Sequence, residues 1–216
     1  MGKKHDKSSV ENSISQIHVD TVKNVVLEKI DRSFVTGNFY GKETNDTIFT
    51  HYYSHIYKTE IDEIPASVSN EWDEIVEWFN QSFQVEIYLT SKADTLFVGP
   101  ACGFLCFLNI GDVNSDGKDE IAFVADWLDY SQINSCKIYS MCDGKWELLN
   151  EFTIHESAFE LPVSDTTSNF TGIKGYLEKK NGIWMYSNYD EIKGNASTLR
   201  VLHLKRCSHA KRFNIH

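Results

Sequence analysis

The sequence predicts a mainly β fold of antiparallel sheets, arranged as a meander, sandwich or propeller, with one amphipathic helix near residues 70–82. Three observations carry that prediction. From Phe83 onward, short apolar or alternating segments recur between polar turns. Asp143-Gly144 and Lys180-Asn181-Gly182 each separate two such segments, as hairpin turns do. The acidic stretch Gly111–Glu120 then runs straight into Ile121-Ala122-Phe123-Val124, a strand-forming run.

In chain order, residues 1–12 read as a polar N-terminal tether and 13–216 as a single mainly β domain. With only 3 prolines and 12 glycines in 216 residues, no Pro- or Gly-rich linker divides the chain. Ile14–Ile30 carries apolar residues at both helical and strand spacings and stays ambiguous. Phe34–Tyr57, rich in Phe, Tyr, Thr and Ile, reads as strand interrupted by a turn over Gly41–Asp46. Asn70–Ser82 reads as the helix, with Asn70 as N-cap and Trp72, Ile75, Val76 and Phe79 on one face. Strands are expected over Phe83–Leu89, Leu96–Ile110, Ile121–Ala125, Lys137–Met141, Trp146–Ile154, Gly175–Lys179, Ile183–Ser187 and Leu199–Leu204.

Composition bounds the function. Hydrophobic residues at 41% and aromatics at 13% fit a folded protein. A net charge of −10 argues against nucleic acid, whose phosphates need a basic surface. It suits divalent cations or a basic partner. No stretch approaches the roughly 20 apolar residues that would cross a bilayer. Met1–Ser9 is polar and lacks the apolar core of a signal peptide. It resembles the tether behind the lipidated cysteine of bacterial lipoproteins, with Met1 where that cysteine would stand; an ordinary polar tail fits equally.

Five cysteines (Cys102, Cys106, Cys136, Cys142, Cys207) leave one unpaired. Cys136 and Cys142 would lie about 20 Å apart along an extended strand, too far to bridge. Pairing of Cys106 with Cys136 or Cys142 across neighbouring strands is easier, and free buried thiols are the alternative.

Calcium takes six to eight oxygens, which a tight loop supplies when alternate residues turn inward. Asp112, Asn114 and Asp116 hold loop positions 1, 3 and 5, and Gly117 gives the sharp turn. Lys118 would offer its backbone carbonyl, leaving its ammonium in solvent. Asp119 and Glu120 follow, either or both as ligands. An EF-hand needs an acid at position 12, where this chain has Phe123. The pattern closely resembles the FG-GAP or VCBS repeat, the calcium loop of integrin-type β-propellers. That resemblance implies Ca2+ and an irregular or reduced propeller-like fold of stacked sheets. Upstream, Thr36-Gly37-Asn38-Phe39-Tyr40-Gly41 with Asp46-Thr47-Ile48-Phe49 looks like a decayed copy with one inserted residue and no metal.

Among the other constellations, His51 and His55 would sit about 13 Å apart in a strand and so share no metal. His155-Glu156 lacks an evident third partner for acid–base work. Asp126, Asp129 and Glu160 offer carboxylates for glycoside hydrolysis, with solvated loop acids the plainer reading. Asp126-Trp127-Leu128-Asp129-Tyr130 mixes acids with aromatic interface anchors, making Trp127, Asp129 and Tyr130 candidate partner-binding residues. Asp20-Thr21-Val22, Asp46-Thr47-Ile48 and Asp94-Thr95-Leu96 are similar to O-glycosylation acceptor sites of Bacteroidetes, which would imply export.

Together these features lead us to expect a non-catalytic, calcium-stabilised binding protein of the bacterial envelope, in the periplasm or at the outer-membrane surface. Its partner is a protein or a glycan, and in one version it is an inhibitor or immunity protein. The rivals are a glycan-active hydrolase using loop carboxylates and a structural envelope component.

Overall fold

The computed structural model describes residues 25–41, 45–91, 94–159, 171–192 and 198–207; the expected tether lies outside them. The elements run β1 (Leu27–Lys29), β2 (Phe34–Gly37), β3 (Asp46–Ser54), β4 (Thr59–Glu60), β5 (Glu63–Pro65) and α1 (Trp72–Glu77), which continues as a π turn over Trp78–Ser82. Then come β6 (Val85–Thr90), β7 (Thr95–Gly99), β8 (Ala101–Gly111), β9 (Glu120–Trp127), β10 (Ile133–Cys142) and β11 (Lys145–His155). The last elements are β12 (Leu177–Lys180), β13 (Ile183–Tyr186), α2 (Tyr189–Ile192) and β14 (Arg200–Val201).

These strands form four antiparallel sheets: β1-β5, β2-β3-β6-β7 with β4 beside β3, β11-β10-β9-β8, and β12-β13-β14. Among the described residues no closed propeller is formed. The sheets stack instead. Ala122 and Val124 on one face of β9 pack with Ile173, Leu177, Trp184 and Leu202 toward the three-stranded sheet. On its other face, Ile121 and Phe123 meet Val35, Phe39, Ile48 and Leu89 of the five-stranded sheet. Ala125 joins the helix residues Ile75, Trp78 and Phe79. The β9 segment is thus covered on both sides, which explains why Ile121-Ala122-Phe123-Val124-Ala125 is continuously apolar rather than alternating.

Several elements differ from expectation, each for a local reason. Leu96–Ile110 is two strands, because Pro100 has no N–H for the ladder and Gly99 turns at φ 119°. β7 stays with β6, and β8 opens the next sheet. The helix starts one residue late. Asn70 is occupied elsewhere: its Oδ1 accepts from Val26 N at 2.8 Å, and its Nδ2 donates to the carbonyls of Val26 and Ala66. Glu71 caps instead, its N–H donating to the Glu74 carboxylate at 3.0 Å. The final strand shrinks to Arg200–Val201.

The disulfide joins Cys142 to Cys207, not Cys106 to Cys136 or Cys142. Strand order explains why Cys106 and Cys136 stay free. Both lie opposite Val124, so β9 runs between them and separates them by about two strand spacings, roughly 10 Å.

Candidate metal centre and the cleft at the end of β9

The acidic loop folds through its own side chains. Asp112 Oδ1 accepts from Asp116 N and Asp112 Oδ2 from Gly117 N, both at 3.0 Å. Asn114 Oδ1 also accepts from Asp116 N at 2.9 Å, and Asp116 Oδ1 accepts from Lys118 N at 3.1 Å. Gly117 at φ 89° makes the turn that a side-chain-bearing residue would resist. The outcome is that one carboxylate oxygen from each of Asp112, Asp116 and Glu120 lies within 4.8 Å of the others.

Glu120 is fully buried at the start of β9, its Oε2 accepting from Val113 N at 2.7 Å and its Oε1 from Ser140 Oγ at 3.2 Å. Burial first, with the Asp116 and Asp112 charges added, pushes its carboxyl up to about 7 despite those two hydrogen bonds. Three carboxylates form an all-oxygen donor set, suited to a hard divalent cation such as Ca2+ rather than to zinc.

The two adjacent acids face different ways. Asp119 Oδ2 accepts from Asn38 N and from Asn109 Nδ2, both at 2.9 Å, and so ties the loop to its neighbours outside the triad. Lys118 corrects another expectation. Its ammonium is not in solvent but donates to the Met141 carbonyl at 2.7 Å.

The upstream segment proposed as a decayed copy adjoins this loop. Gly37 pairs with Asp46 where β2 meets β3, just as Gly111 pairs with Glu120 where β8 meets β9. Both intervals are nine residues (46 − 37 and 120 − 111), so in this register no residue is inserted and Asp46 matches Glu120 rather than Asp119. Both acids are buried. The two loops also touch, since Asn38 Nδ2 donates to the Gly117 carbonyl at 3.0 Å.

At the far end of β9 lies a cleft of about 270 Å³, lined by Trp72, Asp126, Trp127, Asp129, Tyr130 and Glu156 among others. Trp127 is half-buried, with the Lys137 ammonium 5.7 Å from its ring centroid. Tyr130 is 75% exposed, bonds Asp73 through its hydroxyl, and stands edge-on to Trp72 with centroids 6.4 Å apart. Asp129 is exposed and accepts from Ser131 N at 2.8 Å. Desolvation, then Glu156 and Asp129, push Asp126 up to about 6. The cleft thus gathers Trp127, Asp129 and Tyr130, and adds Glu156 and Trp72, which the sequence alone assigns to a His-Glu pair and to the helix's core face.

The remaining candidates separate. His51 Nδ1 meets Glu60 at 2.9 Å, whereas His55 Nε2 meets Glu86 at 2.8 Å. His155 Nδ1 meets Ser157 Oγ at 2.9 Å. Glu160 and Asp20-Thr21-Val22 lie outside the described residues. In Asp94-Thr95-Leu96, the aspartate accepts from Trp146 N at 3.0 Å, which gives it a structural role.

Four antiparallel sheets, three of them meeting at one acidic loop, define the class of this protein as a mainly β domain. No protein-family model, no curated protein and no solved structure matches the chain. Among the described residues no helix is long and apolar enough to cross a membrane, and the Cys142–Cys207 disulfide is consistent with an oxidising compartment.

Proposed function

We propose that this is a calcium-stabilised binding protein of the bacterial envelope, which docks a protein or glycan partner at the cleft beyond β9. The observation that carries the metal reading is the convergence of Asp112, Asp116 and Glu120 on one point. Three acids so placed repel one another until a cation neutralises them. The matching registers of Gly37–Asp46 and Gly111–Glu120 support kinship with FG-GAP or VCBS repeats. Calcium is abundant outside cells, and the disulfide fits the same setting, periplasm or cell surface.

For the partner, the cleft offers aromatic walls and three carboxylates, Asp126, Asp129 and Glu156. That mixture favours a basic protein surface, and an inhibitor or immunity role would use it in that way. Thermal melting tests the metal: calcium at about 100 times Kd should raise Tm by roughly 5–10 °C over EDTA. No shift, together with an unchanged Asp112→Ala variant, would refute it. For the partner, Trp127→Ala should weaken capture at least tenfold with the fold intact.

One observation favours a second reading, a glycan-active hydrolase. Asp126 is held near 6 beside Asp129 and Glu156, as a general acid requires. Turnover of any glycan that Asp126→Asn abolishes would establish it over the binding role.

A further inference from the structure

Resting on the calcium reading above, we infer that the Cys142–Cys207 disulfide is part of the metal site's machinery, so that thiol–disulfide state sets the affinity for calcium. The acidic loop is gripped from two sides, and the disulfide is the covalent join between the grips. On one side is the end of β10. Ser140 Oγ donates to Glu120 Oε1 at 3.2 Å, and the Met141 carbonyl accepts the Lys118 ammonium at 2.7 Å. Cys142 is the next residue.

On the other side is the C-terminal strap after β14. The Lys205 carbonyl lies 3.4 Å from Asn114 Nδ2, and Arg206 Nε donates to the Asn114 carbonyl at 3.3 Å. Asn114 is buried beneath this strap, and its Oδ1 fixes Asp116 N in the triad loop. Cys207 follows, its Sγ 3.9 Å from Lys118 Nζ and 4.0 Å from Ser140 Oγ.

Besides the bond, the described part of the strap beyond β14 is held by the burial of Leu202, by Leu204 packing on the same core, by Leu202 N donating to the Trp184 carbonyl at 2.8 Å, and by the two long contacts to Asn114. The disulfide closes a separation of 65 residues, so its removal restores much chain freedom. Asn114 and Ser140 then lose the restraint that aims the loop inward. Outer partners of this kind typically change metal affinity about 10–100-fold.

The chemical step is a two-electron reduction. A dithiol gives two electrons and two protons, the S–S bond breaks, both cysteines become thiols, and the reductant closes its own disulfide. Linkage makes the effect reciprocal, so bound calcium protects the disulfide by the same factor. A tenfold coupling corresponds to about 30 mV for this couple.

The test is calcium titration by calorimetry on the full chain, oxidised and after dithiothreitol reduction, with circular dichroism to follow the fold. Affinity should fall at least tenfold on reduction. Arg206→Ala, which keeps the disulfide, should show part of that loss. If the reduced chain unfolds, the oxidised chain is equilibrated against a dithiothreitol redox series with calcium and with EDTA, and the reduced fraction should be lower with calcium. Equal affinities in the two states, or reduced fractions that ignore calcium, overturn the coupling alone. An oxidised chain that binds no calcium overturns the metal reading and the coupling with it.

Discussion

Asp126 is the first half-exposed residue of β9, after six buried ones, and it emerges between Glu156 and Asp129. Its carboxyl is raised from 3.8 to about 6 in the folded chain. The folded state therefore favours the protonated form. This contribution is fully present below pH 4, shrinks as pH rises and is lost above 6. Unfolding by urea at pH 4 and pH 7 should show Asp126→Asn gaining about 2 kcal/mol relative to the parent at the higher pH only, allowing for partial exposure. Equal differences at both pH values would show that the charge is not the cause. How legible such residues are depends on where their partners come from. The turn built on Asp112, Asn114, Asp116 and Gly117 could be read because its polar side chains arrive at alternate positions of one short segment and bond that segment's own backbone. The separate roles of Asp119 and Glu120 could not, because they are settled by Asn38, 81 residues away, and Ser140, 20 residues away.

Elements were readable where a few adjacent residues dictate the backbone. Asp143 and Gly144 both take positive φ, 50° and 82°, as the two-residue hairpin turn requires, and Asn181-Gly182 does the same at 51° and 82°. At Gly144 a Cβ would meet nothing within 4 Å, so substitution there meets conformational strain rather than a clash. Gly144→Val should cost about 1–2 kcal/mol in denaturant unfolding. Gly144→Asn, which tolerates the left-handed region, should cost clearly less, and equal losses would point to some other role for the glycine. The helix shows the opposite case. Its 3.6-residue stripe names Ile75 and Phe79, but the π turn over Trp78–Ser82 also brings Trp78 into the core, stacked on Phe83 at 4.0 Å. Trp78 stands three residues after Ile75, so the same helical spacing admits it to the buried face, although the stripe Trp72, Ile75, Val76 and Phe79 leaves it out.

At the scale of the whole molecule, the acidic loop sits where three sheets meet. It connects β8 to β9 in the middle layer. Asp119 fastens it to Asn38 beside the five-stranded sheet. The Ile110 carbonyl, just ahead of the loop, accepts from Trp184 Nε1 of the three-stranded sheet at 2.6 Å, and the strap from that sheet holds Asn114. Such stacking was foreseeable in kind from the number of short strands, but the order of the layers was not, since it depends on contacts that link Thr36 to Asn109, Asn38 to Asp119 and Ile110 to Trp184. An ion bound at this junction would stabilise every layer that the loop joins, and with β9 buried on both faces the layers are expected to unfold together. Hydrogen exchange followed by mass spectrometry across a urea series, with calcium and with EDTA, measures this directly. Peptides from β3, β9 and β13 should all shift their midpoints upward with calcium, and by the same amount. Protection confined to residues 111–120 would mean that the loop is an appendage whose ion steadies only itself.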